Sequence, residues 1–380
     1  MAGAHKSRPA IRSRPARPSP ERVDTRAPFT LCGPGRILAR MNAPAAFAHP
    51  LVVADIGGTN ARFALTRTPG EPPRLVTKLA TAAHAGPEDA LNEAIAACGE
   101  ARPRTAILCA AGPVTGRTAR LTNAPWHFDG PAIAQACGLE QGLLLNDFEA
   151  AALSLAFVEE SDVSPVGPSI VAGRGPKLVL GPGTGLGVAA LARCGETFLP
   201  LPGEGGHVGI GPQDAEDDGY WPRIARMHGR VTAETLLCGP GLQRLHAALA
   251  ADFGVDAGAA AATPPPRIAE AALTGSDAHA SATARIFLKL LARTAGDLAL
   301  VFGATGGVFL RGGVLHALAR LIEPETFRRH FTGKEPVEAF ARAMPLALML
   351  EDAVILRAMA GIGAEPQRFA LAYGERLWCA

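Results

Sequence analysis

Short apolar runs punctuated by glycine, proline and asparagine alternate along this chain with stretches whose apolar positions recur at helical spacing. The first run, Leu51–Ala54, leads into Asp55 and the turn Gly57-Gly58-Thr59-Asn60, and Arg62–Leu65 then runs back. This is the pattern of a β-hairpin. Pro87–Cys98 sets Ala90, Leu91, Ala94 and Ile95 at helical spacing, and Thr105–Ala111 is a strand ending at Gly112-Pro113. Leu143–Leu145 is a further strand that delivers Asn146-Asp147-Phe148 at its end, with a helix over Glu149–Phe157. After a proline-bearing loop, Ser161–Pro176, the hairpin pattern returns. Leu178–Leu191 holds an apolar strand, the turn Gly183-Thr184-Gly185-Leu186-Gly187, and a returning strand Val188–Leu191. Beyond it the pattern predicts an acidic loop over Asp214–Asp218 and an Ala/Pro surface linker over Ala257–Pro266. A long apolar helix over Ala282–Val301, a strand over Gly306–Gly313 and a helix over Ala353–Gly361 follow. Alternating strands and helices make the chain α/β, a class that places its chemistry at strand ends.

A chain of 380 residues is long enough for two domains, because single cores rarely grow past about 250–300 residues. A hydrophobic content of 48% with 19% charge fits a soluble globular protein, and no uncharged apolar run reaches the length of a membrane span. The net charge of +2 hides an asymmetry. Residues 1–40 hold nine Lys and Arg against Glu21 and Asp24, a net of +7, so the remainder carries −5. A mildly acidic body argues against a nucleic-acid platform. Residues 1–48 have scattered Pro and Arg and no signal-peptide core, so they read as a disordered basic extension. Met41 offers an alternative start, and a tail that recruits an acidic partner stays open. Seven cysteines with no CxxC pair fit reduced thiols in a cytoplasm, not a disulfide framework or a zinc site.

Two glycine hairpins about 127 residues apart suggest two similar halves facing one ligand. Glycine turns let the backbone approach a ligand, and their successive N–H groups form an anion-binding concavity. Asp55, at the mouth of the first turn, is placed to hold a phosphate-bound Mg2+, directly or through water. An ordinary hairpin with a charged corner would look the same locally. No Walker A loop, HExxH or nucleophile elbow competes for the role, since the single Gly-Lys pair is followed by Glu335. Asn146-Asp147 is the best candidate for bracketing neighbouring hydroxyls, the amide donating and the acid accepting. The same pair also suits a helix N-cap. In Glu204-Gly205-Gly206-His207 the two glycines let an acid and an imidazole converge from a tight turn.

The segments DIGGTNAR, LNDFEA, GPGTGLG, LPGEGGHVG and GGVFLRGGV resemble the bacterial glucokinase family, the ATP-dependent branch outside the ROK group. The resemblance runs from about Leu51 to Met359. It implies the actin-like, ribonuclease H-like fold of two α/β domains around a deep cleft, within the hexokinase and actin superfamily. The first domain would span residues 49–157, the second 158–350, and a C-terminal helix within 351–380 would return to the first. The implied reaction moves the γ-phosphate of ATP to the 6-hydroxyl of glucose, with Mg2+ present. Asp147 is then the catalytic base and Asn146 a sugar ligand, with Glu204, His207 and Glu234 holding further hydroxyls and Asn123 a weaker candidate. Gly57, Gly58, Thr59 and Asn60 match one phosphate loop, Thr184 and Gly185 the other, and Gly312-Gly313 the adenosine turn. ROK relatives carry a cysteine-rich zinc motif after the sugar-binding histidine. Here Val208-Gly209-Ile210-Gly211 follows His207, and no zinc is expected. A kinase for fructose or mannose stays open, as does a sugar-responsive regulator without turnover. Neither nucleic acid nor membrane is implied as a partner, and a homodimer is left open. The basic extension is not part of the family pattern, and Glu351–Arg357 matches it loosely.

Overall fold

The computed structural model describes residues 43–44, 46–99, 101–350 and 353–379, all within one compact unit. Most of the extension expected over residues 1–48, including Met41, lies outside the described residues, as do Glu351 and Asp352. Four strands come first: β1 (Leu51–Ile56), β2 (Asn60–Thr66), β3 (Arg74–Ala80) and β4 (Thr105–Ala110). Three short strands, β5 (Val114–Thr115), β6 (Thr118–Arg120) and β7 (His127–Asp129), precede β8 (Gln141–Asn146). Then come β9 (Val163–Pro165), β10 (Lys177–Pro182), β11 (Leu186–Cys194) and β12 (Thr197–Gly203). After a largely helical stretch, β13 (Gly307–Leu310), β14 (Leu346–Met349) and β15 (Leu377–Cys379) complete the set.

Two six-stranded sheets share one plan. The first runs β15-β8-β4-β1-β2-β3 and the second β9-β14-β13-β10-β11-β12. In each, an antiparallel hairpin at the centre (β1 with β2, β10 with β11) is extended by a third antiparallel strand. On the other side each gains two parallel strands and an antiparallel edge strand. The central strands read as unbroken apolar runs because both their faces are covered. Leu51, Val52, Val53 and Ala54 are fully buried, and so are Leu178, Val179 and Leu180.

The helix Asp147–Ser154 joins the two sheets. Its Ala150, Ala151 and Leu153 belong to the same apolar cluster as Val53 and Ile107 of the first sheet and Val179 and Ala189 of the second. The helix Ala353–Ala364 packs into that cluster through Ile355, Met359 and Ile362. Each fully buried aliphatic side chain in this layer contributes about 1.5–3 kcal/mol relative to exposure. Packing starts before the first strand, since Phe47 is buried against the Tyr373 ring at 6.4 Å.

Several expectations are corrected. Asp55 lies within β1, which extends to Ile56, because its backbone pairs with Arg62 on β2 and Cys109 on β4. The second turn shrinks to residues 183–185, since Leu186 and Gly187 already pair with Pro182 and Gly181. The helix expected from Glu149 begins at Asp147 and ends at Ser154. The Ser161–Pro176 loop contains β9, formed by long-range pairing with β14. The acidic loop is the helix Ala215–Tyr220, capped by Asp214 and neutralised by Lys289, whose Nζ lies 2.7 Å from carboxylate oxygens of Glu216 and Asp217. The Ala/Pro linker is two helices, Ala257–Ala262 capped by Asp256 and Pro265–Thr274 with proline in its first turn, where a missing N–H costs nothing.

Candidate active site

Both glycine turns are fastened from behind. In the first, Gly57 N–H donates to the Asn60 carbonyl at 2.9 Å, and Thr81 holds the loop by donating its hydroxyl to Gly57 O (2.8 Å) and its N–H to Thr59 O (3.0 Å). In the second, Gly183 N–H donates to Gly185 O, and Gly239 N–H donates to Gly183 O, each at 2.8 Å. The turns open on one cleft of about 640 Å3. Gly58, Thr59, Asn123, Asn146, Asp147, Thr184, Gly185, Glu204, His207 and Glu234 all line it. Five other predicted residues, Asp55, Gly57, Asn60, Gly312 and Gly313, lie outside its lining.

Asp147 is the first residue of its helix, delivered by β8. Burial pushes its carboxyl up to about 6, and the charge of Asp55 adds to the rise. The Phe148 N–H and the positive Arg311 oppose the rise. Asn146 is the N-cap: its Oδ1 accepts from Phe148 N (3.0 Å) and Glu149 N (3.2 Å). Its Nδ2 donates to Gly112 O and to Asp147 Oδ1, both at 2.9 Å. The N-cap reading of the Asn-Asp pair is therefore realised, and it also orients the acid that faces the cleft. Asp55 lies near enough for its charge to act on Asp147. It accepts from the Cys109 thiol at 3.3 Å and lies 3.7 Å from Arg62 Nη1. Burial, then the charges of Asp55 and Asp147, push the Cys109 thiol well up, so it acts as a donor and not as a nucleophile.

Glu204, His207 and Glu234 converge. His207 Nε2 stands 3.7 Å from Glu204 Oε2 and 3.9 Å from Glu234 Oε1, too far for hydrogen bonds and close enough for one ligand to meet all three. The side chains are open to solvent, at 90%, 49% and 33% exposure for Glu204, His207 and Glu234. Gly206 makes the turn: a Cβ there would lie 2.1 Å from the Leu186 carbonyl, so only glycine lets the segment lie on β11. Glu234 is held by Leu186 N–H, which donates to its Oε2 at 2.8 Å. The capping box of Thr232 and Thr235 starts its short helix. Gly312 adopts φ +107°, and a Cβ there would meet Pro182 O at 2.5 Å, which sets the turn after β13 against the end of β10.

Sequence reasoning missed Thr81, Cys109, Phe148 and Arg311. Thr81 acts from the 3-10 turn that follows β3 and Cys109 from β4, and such adjacency is not encoded locally. Arg311 and Phe148 lay inside quoted motifs, where the glycines and the acid drew attention instead.

The glucokinase family model matches residues 52–365. A glucokinase of Sinorhizobium medicae is 39% identical over 333 residues, covering 87% of this chain and 97% of that one. The crystal structure of a glucokinase from an Antarctic psychrotroph superposes with a TM-score of 0.72 at 30% identity, covering 82% of this chain and 97% of that one. A ROK family glucokinase from Streptomyces griseus, solved in complex with glucose and AMPPNP, shares the fold at a TM-score of 0.53 and 20% identity, over 82% and 97% of the two chains. The paired sheets are thus the actin-like fold of the sugar kinases, and the chain belongs to the glucokinase family.

Proposed function

We propose that this glucokinase-family chain phosphorylates glucose at its 6-hydroxyl with ATP, in the cleft between the two glycine turns. One observation carries this reading: the Asp147 carboxyl shares a single cleft with the Glu204–His207–Glu234 cluster and with both turns. The Streptomyces griseus enzyme was solved with glucose and AMPPNP, which supports the same pair of ligands here.

Phosphoryl transfer asks a protein mainly to position the reactants and to stabilise charge. Glu204, His207 and Glu234 accept or donate to ring hydroxyls, and Asn123 closes the wall beside Gly58. Asp147 accepts the 6-hydroxyl proton. That oxygen forms a bond to the γ-phosphorus as the bond to the bridging oxygen breaks, and ADP leaves with the electron pair. A carboxyl at about 6 is mostly ionised at neutral pH yet more basic than an ordinary aspartate, as suits a general base. Asn146 keeps Asp147 aimed, and a sugar hydroxyl that displaces Asp147 from Asn146 Nδ2 gains that donor. The backbone N–H groups of Gly58, Thr59, Thr184 and Gly185, which line the cleft, cradle phosphate oxygens, while Gly57 and Asn60 close the first turn behind them. Gly312 and Gly313 leave room for the adenosine.

For Mg2+ the fit is good. The ion prefers one or two carboxylates plus phosphate oxygens and water, and Asp55 is a single oriented carboxylate, 17% exposed, beside the cleft floor. Bound there, the ion would offset phosphate charge.

The two lobes are taken as residues 49–157 and 158–350, with the C-terminal segment returning to the first. This is supported by the pairing of β15 with β8. The Val-Gly-Ile-Gly that follows His207 supports a place outside the ROK group. Among the described residues no helix is long and apolar enough to cross a membrane. The six cysteines among the described residues are free, and free thiols support a cytoplasmic setting. The family resemblance is the sole ground for a homodimer. The decisive test is ADP formation coupled to a reporter across a panel of hexoses. Turnover with glucose should exceed that with fructose or mannose, and ADP release indifferent to every sugar would overturn the reading.

A further inference from the structure

Arg311 is the last residue before the Gly312 turn, and its N–H donates to Leu180 O at 3.1 Å, which ties it to the end of β10. Its side chain does not turn away to solvent. Gly181 and Gly187 face each other across the β10–β11 ladder, and together they form a slot without side chains. The Phe148 ring fills one side: a Cβ on Gly187 would lie 1.8 Å from the ring. The Arg311 stem fills the other, with its Cγ 3.0 Å from where a Gly181 Cβ would stand. The guanidinium then lies over the Phe148 ring, Cζ 5.9 Å from its centre, and Nε is buried. Phe148 directly follows Asp147, and its N–H is held by the Asn146 cap. A cation thus reaches from the second sheet, past a glycine pair that admits it, to the first turn of the helix that carries the base.

We infer that Arg311 is a positioning residue for the transfer reaction, clamping Phe148 in the glycine slot and setting a fixed positive charge behind the first turn of the helix that carries Asp147. This rests on the reading of Asp147 as the base and adds a residue to it. Asp147 lines the cleft, Asp55 close by already has Arg62 3.7 Å away, and an incoming triphosphate brings more negative charge. A guanidinium suits the place because it keeps its charge and stacks flat on an aromatic face. Arg311 also adjoins Gly312, so the clamp links the turn proposed for adenosine to the base proposed for the sugar.

The test compares Arg311→Met, which keeps the stem on Phe148 without charge, with Arg311→Lys, which keeps charge without the planar fork. Asp147→Asn and the parent are run in the same ADP-release assay. Arg311→Met should lower kcat about tenfold or more, the scale of one charged contact, with KM for glucose and for ATP within about twofold of the parent. Arg311→Lys should recover a clear part of kcat. Arg311→Met turning over within about twofold of the parent overturns the inference. So does an equal loss in both variants that follows a fall in melting temperature, which would mark a packing role alone. If Arg311→Met is insoluble, Arg311→Gln serves as the neutral variant and is judged by the same kcat-against-KM split. Asp147→Asn separates the two levels. Full activity there removes the base reading itself, whereas a dead Asp147→Asn beside a normal Arg311→Met removes only the role of Arg311.

Discussion

The strongest handle on the proposed chemistry is the carboxyl of Asp147, which burial raises to about 6. A general base works only when ionised, so kcat/KM for glucose at saturating nucleotide should fall as pH drops through about 6. About nine-tenths of Asp147 is ionised at pH 7 and about one-tenth at pH 5, and the activity should follow, losing close to tenfold over those two units. The same perturbation has a stability side with the opposite sense. The folded-state value lies above the ordinary 3.8, so between about pH 4 and 6 the folded protein binds more protons than the unfolded chain. Folding stability from this group is therefore present at low pH and declines as pH rises through that window. Asp147→Asn removes the buried charge while keeping an acceptor for Asn146 Nδ2. It should melt no lower than the parent at pH 7.5, and it should lose about 10²–10⁴ in kcat, with glucose binding retained by calorimetry. Three results would refute the reasoning: an activity limb at about pH 4, a limb at 6 that persists in the residual activity of Asp147→Asn, or a variant that melts well below the parent at neutral pH.

Glu204→Ala and Glu234→Gln should each lower kcat/KM for glucose by about ten- to more than a hundredfold while KM for ATP moves far less, as steady-state kinetics will show. Glutamine is chosen at 234 because it still accepts from Leu186 N–H. Equal weakening of both substrates would instead assign these acids to metal binding or domain closure. Gly206→Ala forces a Cβ against the Leu186 carbonyl, so it should cost about 1–3 kcal/mol in denaturant unfolding and raise KM for glucose. Wild-type values for both would show that the turn has slack. Deleting residues 1–40, whose net charge of +7 contrasts with −5 in the rest, should leave melting temperature and turnover unchanged. Loss of soluble protein on truncation would contradict that.

The hairpins were legible because their signals are local: an apolar run, a glycine turn and a second run, each confirmed by a contiguous ladder. The convergence of Glu204 and His207 was legible for the same reason, two glycines in a four-residue span. What stayed hidden depends on partners far away in the chain. The strand β9 exists because Ser164 finds Leu348, and the acidic Asp214–Asp218 run is helical because Lys289, Arg285 and Arg293 arrive from a helix some 70 residues later. Asp55 was placed at a turn mouth because a charged residue rarely ends an apolar run. The Cys109 thiol donor and the Arg62 cation allow β1 to continue through it.

The repeated strand plan accounts for why the cleft holds unlike chemistry on its two sides. Each half ends its central hairpin in a glycine turn, so each presents backbone N–H groups to the same space, a symmetric arrangement suited to a chain of phosphates. The side chains break the symmetry. In the first half Asp55 is the penultimate residue of β1 and Asp147 directly follows β8, and burial, with the charge of Asp55, raises the carboxyl of Asp147. The equivalent strands of the second half, β10 and β14, end in Pro182 and Met349, which carry no charge. The second half instead contributes its acids from the Glu204 turn and the short helix of Glu234, both outside its strand ends. Negative charge thus comes from two sides of the cleft, while Arg311 brings a cation from the second sheet onto the Phe148 ring beside Asp147. A sugar among the outer acids and a triphosphate along the glycine turns would meet where Asp147 stands.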